Sequence, residues 1–217
     1  MIWTLSDVAL LPSSAMKRLL LCVLGLLGLS ALPAAAQIAA VTSPTGPVMA
    51  GPYLVVDAAT GEALLERNAG VSWYPASLTK LMTAYLTFSA LKQKKIELTQ
   101  TVPVSERAWK AEGSRMFIDP KMQVPVEDLL KGMIVQSGND ATMALAEGVG
   151  GSTERFVDMM NAKAKALGMT ATGYKNPEGL TEPGHITTAR DLATLAQSVL
   201  RHFPDRQAYF ALKKYRY

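Results

Sequence analysis

The chain is poor in the residues that most readily form crosslinks or bind metals. Of its 217 residues one is Cys and two are His. A single Cys cannot build an internal disulfide framework or a Cys-rich zinc site. Two His, His185 and His202, leave no set for a His-ligated catalytic metal. Charge is also sparse: 18% of residues are charged, and 22 Lys+Arg against 18 Asp+Glu leave a net charge of +4. Basic residues gather only at Lys92 to Lys95 and Lys213 to Arg216, which gives no ground for nucleic acid as a partner. What the chain does have is apolar: 49% of its residues, enough to bury a core and unlike a disordered composition. The length suits one domain of ordinary size, or one domain behind a leader.

A leader is legible. Lys17 and Arg18 precede the run LLLCVLGLLGLSAL, and PAAA then leads into Gln37. A charged segment, an apolar segment and a small-residue cleavage site, in that order, read as a signal peptide cut after Ala36. Residues 1–15 then read as an unused upstream start, with Met16 as the initiator. A retained anchor is the alternative. Leu19 to Ala36 is 18 residues, at the threshold for spanning a bilayer, and it contains Ser30 and Pro33. Cys22 suggests a lipoprotein, but Leu21 precedes it and the apolar run continues past it. Cys22 therefore leaves with the leader, and a mature chain without Cys suits export into an oxidising compartment.

Residues 37–51, rich in Ala, Thr, Pro and Gly, read as a linker. Tyr53 to Asp57 and Ala63 to Arg67 flank a Thr-Gly turn and read as a β-hairpin. Ser77 to about Lys92 reads as a central helix, with Leu78, Leu81, Met82, Tyr85, Leu86 and Leu91 apolar. Ile96 to Val104 alternates in the manner of a strand. Pro125 opens a helix whose apolar face is Leu129, Leu130, Met133 and Ile134. Ser137, Gly138 and Asn139 interrupt it, and a further helix through Ala141, Leu145 and Ala146 is expected to end at Gly148. Ser152 caps the next, which buries Phe156, Met160 and Leu167 and closes at Gly168. Thr188 to Asp191 is a capping box leading into Leu192, Leu195, Ala196, Val199 and Leu200. The whole is one hairpin and about five helices, without an internal repeat. A two-stranded hairpin is not a stable sheet alone, so either helices cover it or its partner strands lie outside this sequence.

Ser77-Leu78-Thr79-Lys80 carries candidate chemistry. Residues at i and i+3 of a helix share a face. A Lys held there away from water loses its proton more readily. The neutral amine can accept the Ser hydroxyl proton and make Ser77 a nucleophile without a His. The Ser77 N–H, at a helix start, can donate to a developing oxyanion. Taken alone the pattern is weak, because about one chance match is expected in a chain of this length. Three occur: Ser14 to Lys17, Ser77 to Lys80, and Ser89 to Lys92. The first lies in the leader and the third lies mid-helix. Only Ser77 follows Tyr-Pro-Ala, where a helix begins. The plainer alternative makes Ser77 a helix cap and Lys80 a solvated charge.

Ser137, Gly138 and Asn139 change that balance. A polar trio in a Gly-containing break between two apolar helices can aim a hydroxyl and an amide into a cleft. Ser137 could relay a proton between Lys80 and a leaving amine, and Asn139 could hold Lys80 and a substrate amide. An ordinary helix-to-helix turn is the other reading.

Together, YPASLTKLMTAY, EDLLKGMIVQSGNDATMALAE, NPEGLTEPGHITTARDLATLA and the hairpin YLVVDAATGEALLERNA resemble one family. It is that of the D-alanyl-D-alanine carboxypeptidases, the low-molecular-weight penicillin-binding proteins of the S11 serine peptidases, and the likeness runs from Tyr53 to the C-terminus. The resemblance implies an α+β fold, the penicillin-binding-protein/β-lactamase-like transpeptidase fold, with a helical cluster on an antiparallel sheet. Only the first hairpin of that sheet is expected in this chain. It implies Ser77 as acylated nucleophile, Lys80 as general base, and Ser137 with Asn139 as the second motif. It implies removal of the terminal D-Ala from peptidoglycan pentapeptides, with the stem peptide as substrate and β-lactam antibiotics as acylating inhibitors. No metal or organic cofactor is implied. Location would be the periplasm or the outer face of the cytoplasmic membrane. A D,D-endopeptidase of the same superfamily shares these motifs.

Class A β-lactamases share S-x-x-K, but carry S-D-N and a Glu that activates water. Here the motif is S-G-N, and Glu178 is followed by Gly-Leu-Thr, not by x-x-L-N. A β-lactam is therefore expected to acylate the site and leave slowly. Arg190 and Asp191 read as part of the capping box, with Arg190 exposed. His185, in a Gly-Pro-rich loop, reads as structural or exposed.

The family's third motif, Lys-Thr-Gly, does not occur in the 217 residues. By the resemblance it would lie beyond Tyr217, with the rest of the sheet, a β-rich C-terminal domain and the membrane-anchoring tail. Residues 52–217 are thus expected to be a partial catalytic domain with little or no activity of its own. A non-catalytic, truncated wall-binding protein is the remaining alternative.

Overall fold

The computed structural model describes residues 51–217. The readings of an unused start, a signal peptide and a linker over residues 1–50 lie outside the described residues.

The chain enters through the expected hairpin, β1 (Tyr53–Val56) and β2 (Ala63–Arg67), paired antiparallel with Tyr53 opposite Arg67 and Val55 opposite Leu65. Its turn is fixed by Asp57. One carboxylate oxygen accepts the N–H groups of Ala59 and Thr60 at 2.9 and 2.7 Å, and the Thr60 hydroxyl at 3.0 Å. Gly61 follows at φ +78°, a conformation that favours glycine. β1 is half-buried against the last long helix, whereas every residue of β2 is exposed, Leu64 and Leu65 included.

Ser77 was expected to begin an α-helix. Instead Ala76–Thr79 form a 3₁₀ turn and α1 runs from Lys80 to Lys92. A tighter first turn is common at helix starts. Here Ala76, at φ +47°, swings the backbone round before Ser77. α1 is buried on most sides, with Met82, Tyr85, Leu86 and Phe88 inside. Leu78 departs from the expected apolar surface. It sits on the 3₁₀ turn beside exposed Ser77 and is itself 44% exposed. The hydroxyls that enter the core with α1 are satisfied: Thr83 donates to Pro177 O and Thr87 to Thr83 O, both at 2.8 Å.

β3 (Thr101–Pro103) lies in the segment read as strand-like, and pairs with β4 (Gln123–Pro125), which the sequence did not suggest. Val102 and Val124, opposite each other, both point into the core. Between these strands lies the short α2 (Glu106–Trp109), capped by Ser105.

α3 (Val126–Gln136) buries Leu129, Leu130 and Met133. α4 (Asn139–Gly150) then crosses the centre and packs against α1, α2, α3 and β3. It does not stop at Gly148. A side chain there would stand 2.9 Å from a Val102 methyl, so this glycine is a close-packing position, not a cap. α5 (Thr153–Ala166) begins at Ser152, whose hydroxyl accepts the Arg155 N–H, and buries Phe156 and Met160. α6 (Ala189–His202) begins at Thr188, whose hydroxyl accepts the Asp191 N–H at 3.0 Å. The short α7 (Gln207–Phe210) follows.

A long loop, residues 167–188, returns from α5 to α6. Trp73 and Thr187 exchange both backbone hydrogen bonds, and so do Gly173 and Ile186. The Asp191 carboxylate takes the Ala171 N–H and the Thr172 hydroxyl. These ties hold the loop against the segment leading into Ser77.

Candidate active site

Ser77 is exposed, and Lys80 beneath it is 6% exposed. The Lys80 amine donates to Ser77 Oγ at 3.2 Å and to the Glu178 carbonyl at 2.8 Å. Burial pulls the amine down to about 8, while the nearby Glu178 carboxylate opposes that fall. An amine that loses its proton near neutrality, within reach of a hydroxyl, can serve as a base toward it.

Ser137 arrives from the other side. It is the last residue of the α3 cap, at φ +57° and ψ +32°, and Gly138 N–H closes the turn on Gly132 O at 3.1 Å. That left-handed step turns the Ser137 hydroxyl toward α1, where it donates to Ser77 Oγ at 3.0 Å. Three side chains that the sequence singles out, Ser77, Lys80 and Ser137, thus meet at one oxygen.

Asn139 opens α4 with its Nδ2 turned away from Lys80. Its Nδ2 donates to Glu112 O at 2.5 Å and its N–H to Ser114 O at 2.6 Å. It makes no hydrogen bond to Lys80, and it holds the 112–114 segment at the edge of the site.

The other S-x-x-K match in the described residues does not assemble. Ser89 Oγ accepts from Gln93, and Lys92 reaches the His202 carbonyl. The match at Ser14 lies outside the described residues. Arg190 is exposed and pairs with Glu66 at 2.8 Å. His185 is buried, so of its two readings the structural one holds. Its Nδ1 accepts the Lys175 N–H at 3.1 Å, which leaves Nε2 as donor to Thr79 Oγ1 at 2.8 Å. Burial pushes the imidazole below its ordinary range.

Two residues escaped the sequence reading. Asp140, next to the trio, gathers a loop: one oxygen accepts the Met116 N–H at 2.9 Å, the other those of Phe117 at 2.8 Å and Ile118 at 3.3 Å. Its place directly after Asn139 was the available signal. Glu178 drew notice only for the Gly-Leu-Thr beside it, yet it is 9% exposed and its carbonyl accepts from Lys80. Among the described residues, no group of three or more His, Cys, Asp and Glu side chains is placed to hold a metal ion.

Comparison with known proteins gives one consistent picture. The family model for D-alanyl-D-alanine carboxypeptidase, Peptidase S11, matches residues 37–216. D-alanyl-D-alanine carboxypeptidase DacC of Escherichia coli is 44% identical over 169 residues, covering 75% of this chain and 42% of that protein. Penicillin-binding protein 5 of Haemophilus influenzae superposes with a TM-score of 0.77 at 39% identity, over 82% of this chain and 52% of that one. Penicillin-binding protein D2 of Listeria monocytogenes, solved in an ampicillin-bound form, gives 0.66 at 29% identity, over 75% and 66%. The chain spans about half the length, or less, of the curated relatives it matches.

Proposed function

The chain belongs to the D-alanyl-D-alanine carboxypeptidase family of serine peptidases, and from that premise we propose that its Ser77 is the acylated nucleophile of a D,D-carboxypeptidase. The observation that carries the reading is the convergence of Lys80 and Ser137 on Ser77 Oγ, at 3.2 and 3.0 Å.

Lys80, once neutral, takes the Ser77 proton as Oγ attacks the carbonyl of the penultimate D-Ala. The Ser77 N–H, on the 3₁₀ turn, donates to the oxyanion that forms. Ser137 passes the proton from Lys80 to the amine of the departing D-Ala. Water then releases the stem peptide from Ser77 and restores the hydroxyl. Asn139 binds the substrate amide through Oδ1, while its Nδ2 keeps the 112–114 segment in place. A β-lactam takes the same first step, opening its ring onto Ser77 and leaving slowly. The substrate's place is outside the cytoplasm, consistent with the leader read in the sequence.

Fluorescent penicillin tests this directly. Covalent label is expected on this chain and none on Ser77→Ala. Label that survives the substitution, or label absent even from a version that includes Lys-Thr-Gly, overturns the reading. By the family resemblance the Lys-Thr-Gly strand supplies a second oxyanion donor, and loss of one such donor costs on the order of 10²–10³ in rate. Labelling by these residues alone is therefore expected to be slower than by DacC by about that factor. Product analysis on pentapeptide against cross-linked muropeptide separates carboxypeptidase from endopeptidase.

A further inference from the structure

Pro177, Glu178 and Gly179 lie as a strap across the face of the nucleophile turn. Three consecutive residues engage one stripe of that turn and the start of α1. Pro177 O accepts from Thr83 at 2.8 Å, and Glu178 O accepts from the Lys80 amine at 2.8 Å. Gly179, at φ +96°, packs so close to Ala76 that a β-carbon there would stand 1.9 Å from Ala76 O. The strap is fixed from its own side as well, by Asn176 Oδ1 accepting the Gly179 N–H at 2.8 Å.

This fixing carries the Glu178 side chain into the interior. The residue is 9% exposed, and its Oε2 is buried without a hydrogen-bond partner. A buried carboxylate oxygen left unpaired is costly, so a role for it is to be sought nearby. The cation that acts most on it is the Lys80 amine, which the same residue's carbonyl holds.

We propose that Glu178 is a positioning residue for Lys80, its carbonyl aiming the amine at Ser77 and its buried carboxylate setting how firmly that amine keeps its proton. The proposal rests on the reading of Ser77 and Lys80 as nucleophile and base.

Two opposed influences meet on the amine. Burial favours the neutral base, and the Glu178 carboxylate favours the ammonium. Burial raises the proton affinity of Glu178 itself, and Lys80 counters it. The other charged groups acting on Glu178 are Arg107, which favours its ionised form, and Glu182, which opposes it. His185, behind Thr79, is neutral through burial and adds no charge. Glu178 is thus the group whose ionisation Lys80 registers. With Glu178 ionised the base is held back, and with Glu178 neutral it is released. The Glu of a class A β-lactamase activates water. Here the carboxylate acts on the base.

The test follows the Lys80 side chain by NMR on the chain labelled with ¹³C at Lys Cε, its signal assigned by its loss in Lys80→Met. In Glu178→Gln the midpoint of the Lys80 titration is expected to move to lower pH by about one unit or more. A midpoint that stays, or rises, overturns the proposal. Should Glu178→Gln lose its dispersed spectrum, the unaltered chain decides. Its Lys80 Cε signal is expected to show a second, smaller inflection at the pH where Glu178 Cδ titrates, and absence of that inflection also overturns the proposal. Neither measurement needs turnover or label on Ser77. A site that fails to acylate leaves the titration readable, and an unmoved titration leaves the penicillin labelling to stand on its own.

Discussion

The hairpin and the Ser77 turn are neighbours in sequence and opposites in construction. In the hairpin, β2 is exposed throughout, Leu64 and Leu65 face solvent, and the link from β2 to α6 is the half-exposed Arg190 to Glu66 pair, of a kind that contributes about 0 to 1 kcal/mol. The Ser77 turn has an exposed tip but is braced at three points by two distant segments. Ser137 comes from the α3–α4 junction, Glu178 and Gly179 from the strap, and His185 from further along the same loop. Polar bonds and one close backbone approach, more than apolar area, fix the position of Ser77 Oγ. Bulk stability is lodged elsewhere, in α1 and α4.

If the braces matter this much, the sharpest way to break the contrast is Gly179→Ala. The added carbon meets backbone, which cannot rotate away, at a φ that penalises any side chain. Destabilisation on the order of 4 kcal/mol is expected, read by urea denaturation, together with loss of penicillin labelling. Next comes Asp140→Ala, which strips the acceptor from three backbone N–H groups at Met116, Phe117 and Ile118. A loss of about 3 kcal/mol is expected, with proteolysis moving to the 112–118 segment.

A smaller effect should accompany pH. The folded chain holds His185 neutral below its ordinary value of 6.5, whereas the unfolded chain protonates near that value. The unfolded state therefore binds more protons, so stability is complete above pH 6.5 and falls as pH drops below it. Melting temperature is expected to decline from pH 7 to pH 5, and His185→Gln to flatten part of that slope. The smallest change is expected at the hairpin. Leu65→Ser should alter unfolding free energy by less than about 0.5 kcal/mol while reducing association in concentrated solution. A large loss at Leu65 would mean that the hairpin is not the loosely held region described.

Much of this contrast was legible in the sequence, and the rest was hidden for identifiable reasons. Ser77, Lys80 and Ser137 stood out because their chemistry is local in type, and the caps at Ser152 and Thr188 because a cap is a contact within one turn. β3 and β4 are three residues each and end on Pro103 and Pro125, so neither strand carries enough alternation to announce its partner. Gly148 imitates a helix end because its reason for being glycine, Val102, is far away in sequence. Glu178 and Asp140 were passed over for the same cause. Each acts on a backbone or amine that only folding brings near, and neither the strap nor the 112–118 loop has a periodic pattern.

The Lys80 amine also implies a division of time. A group that titrates near 8 is neutral in about one molecule in ten at pH 7. In the other nine the ammonium and Ser137 both donate to Ser77 Oγ, so that oxygen sits between two donors. Seen over many molecules, the resting site is a closed population with a small open minority. Raising the pH from 7 to 8 should enlarge that minority about fivefold, and by less beyond.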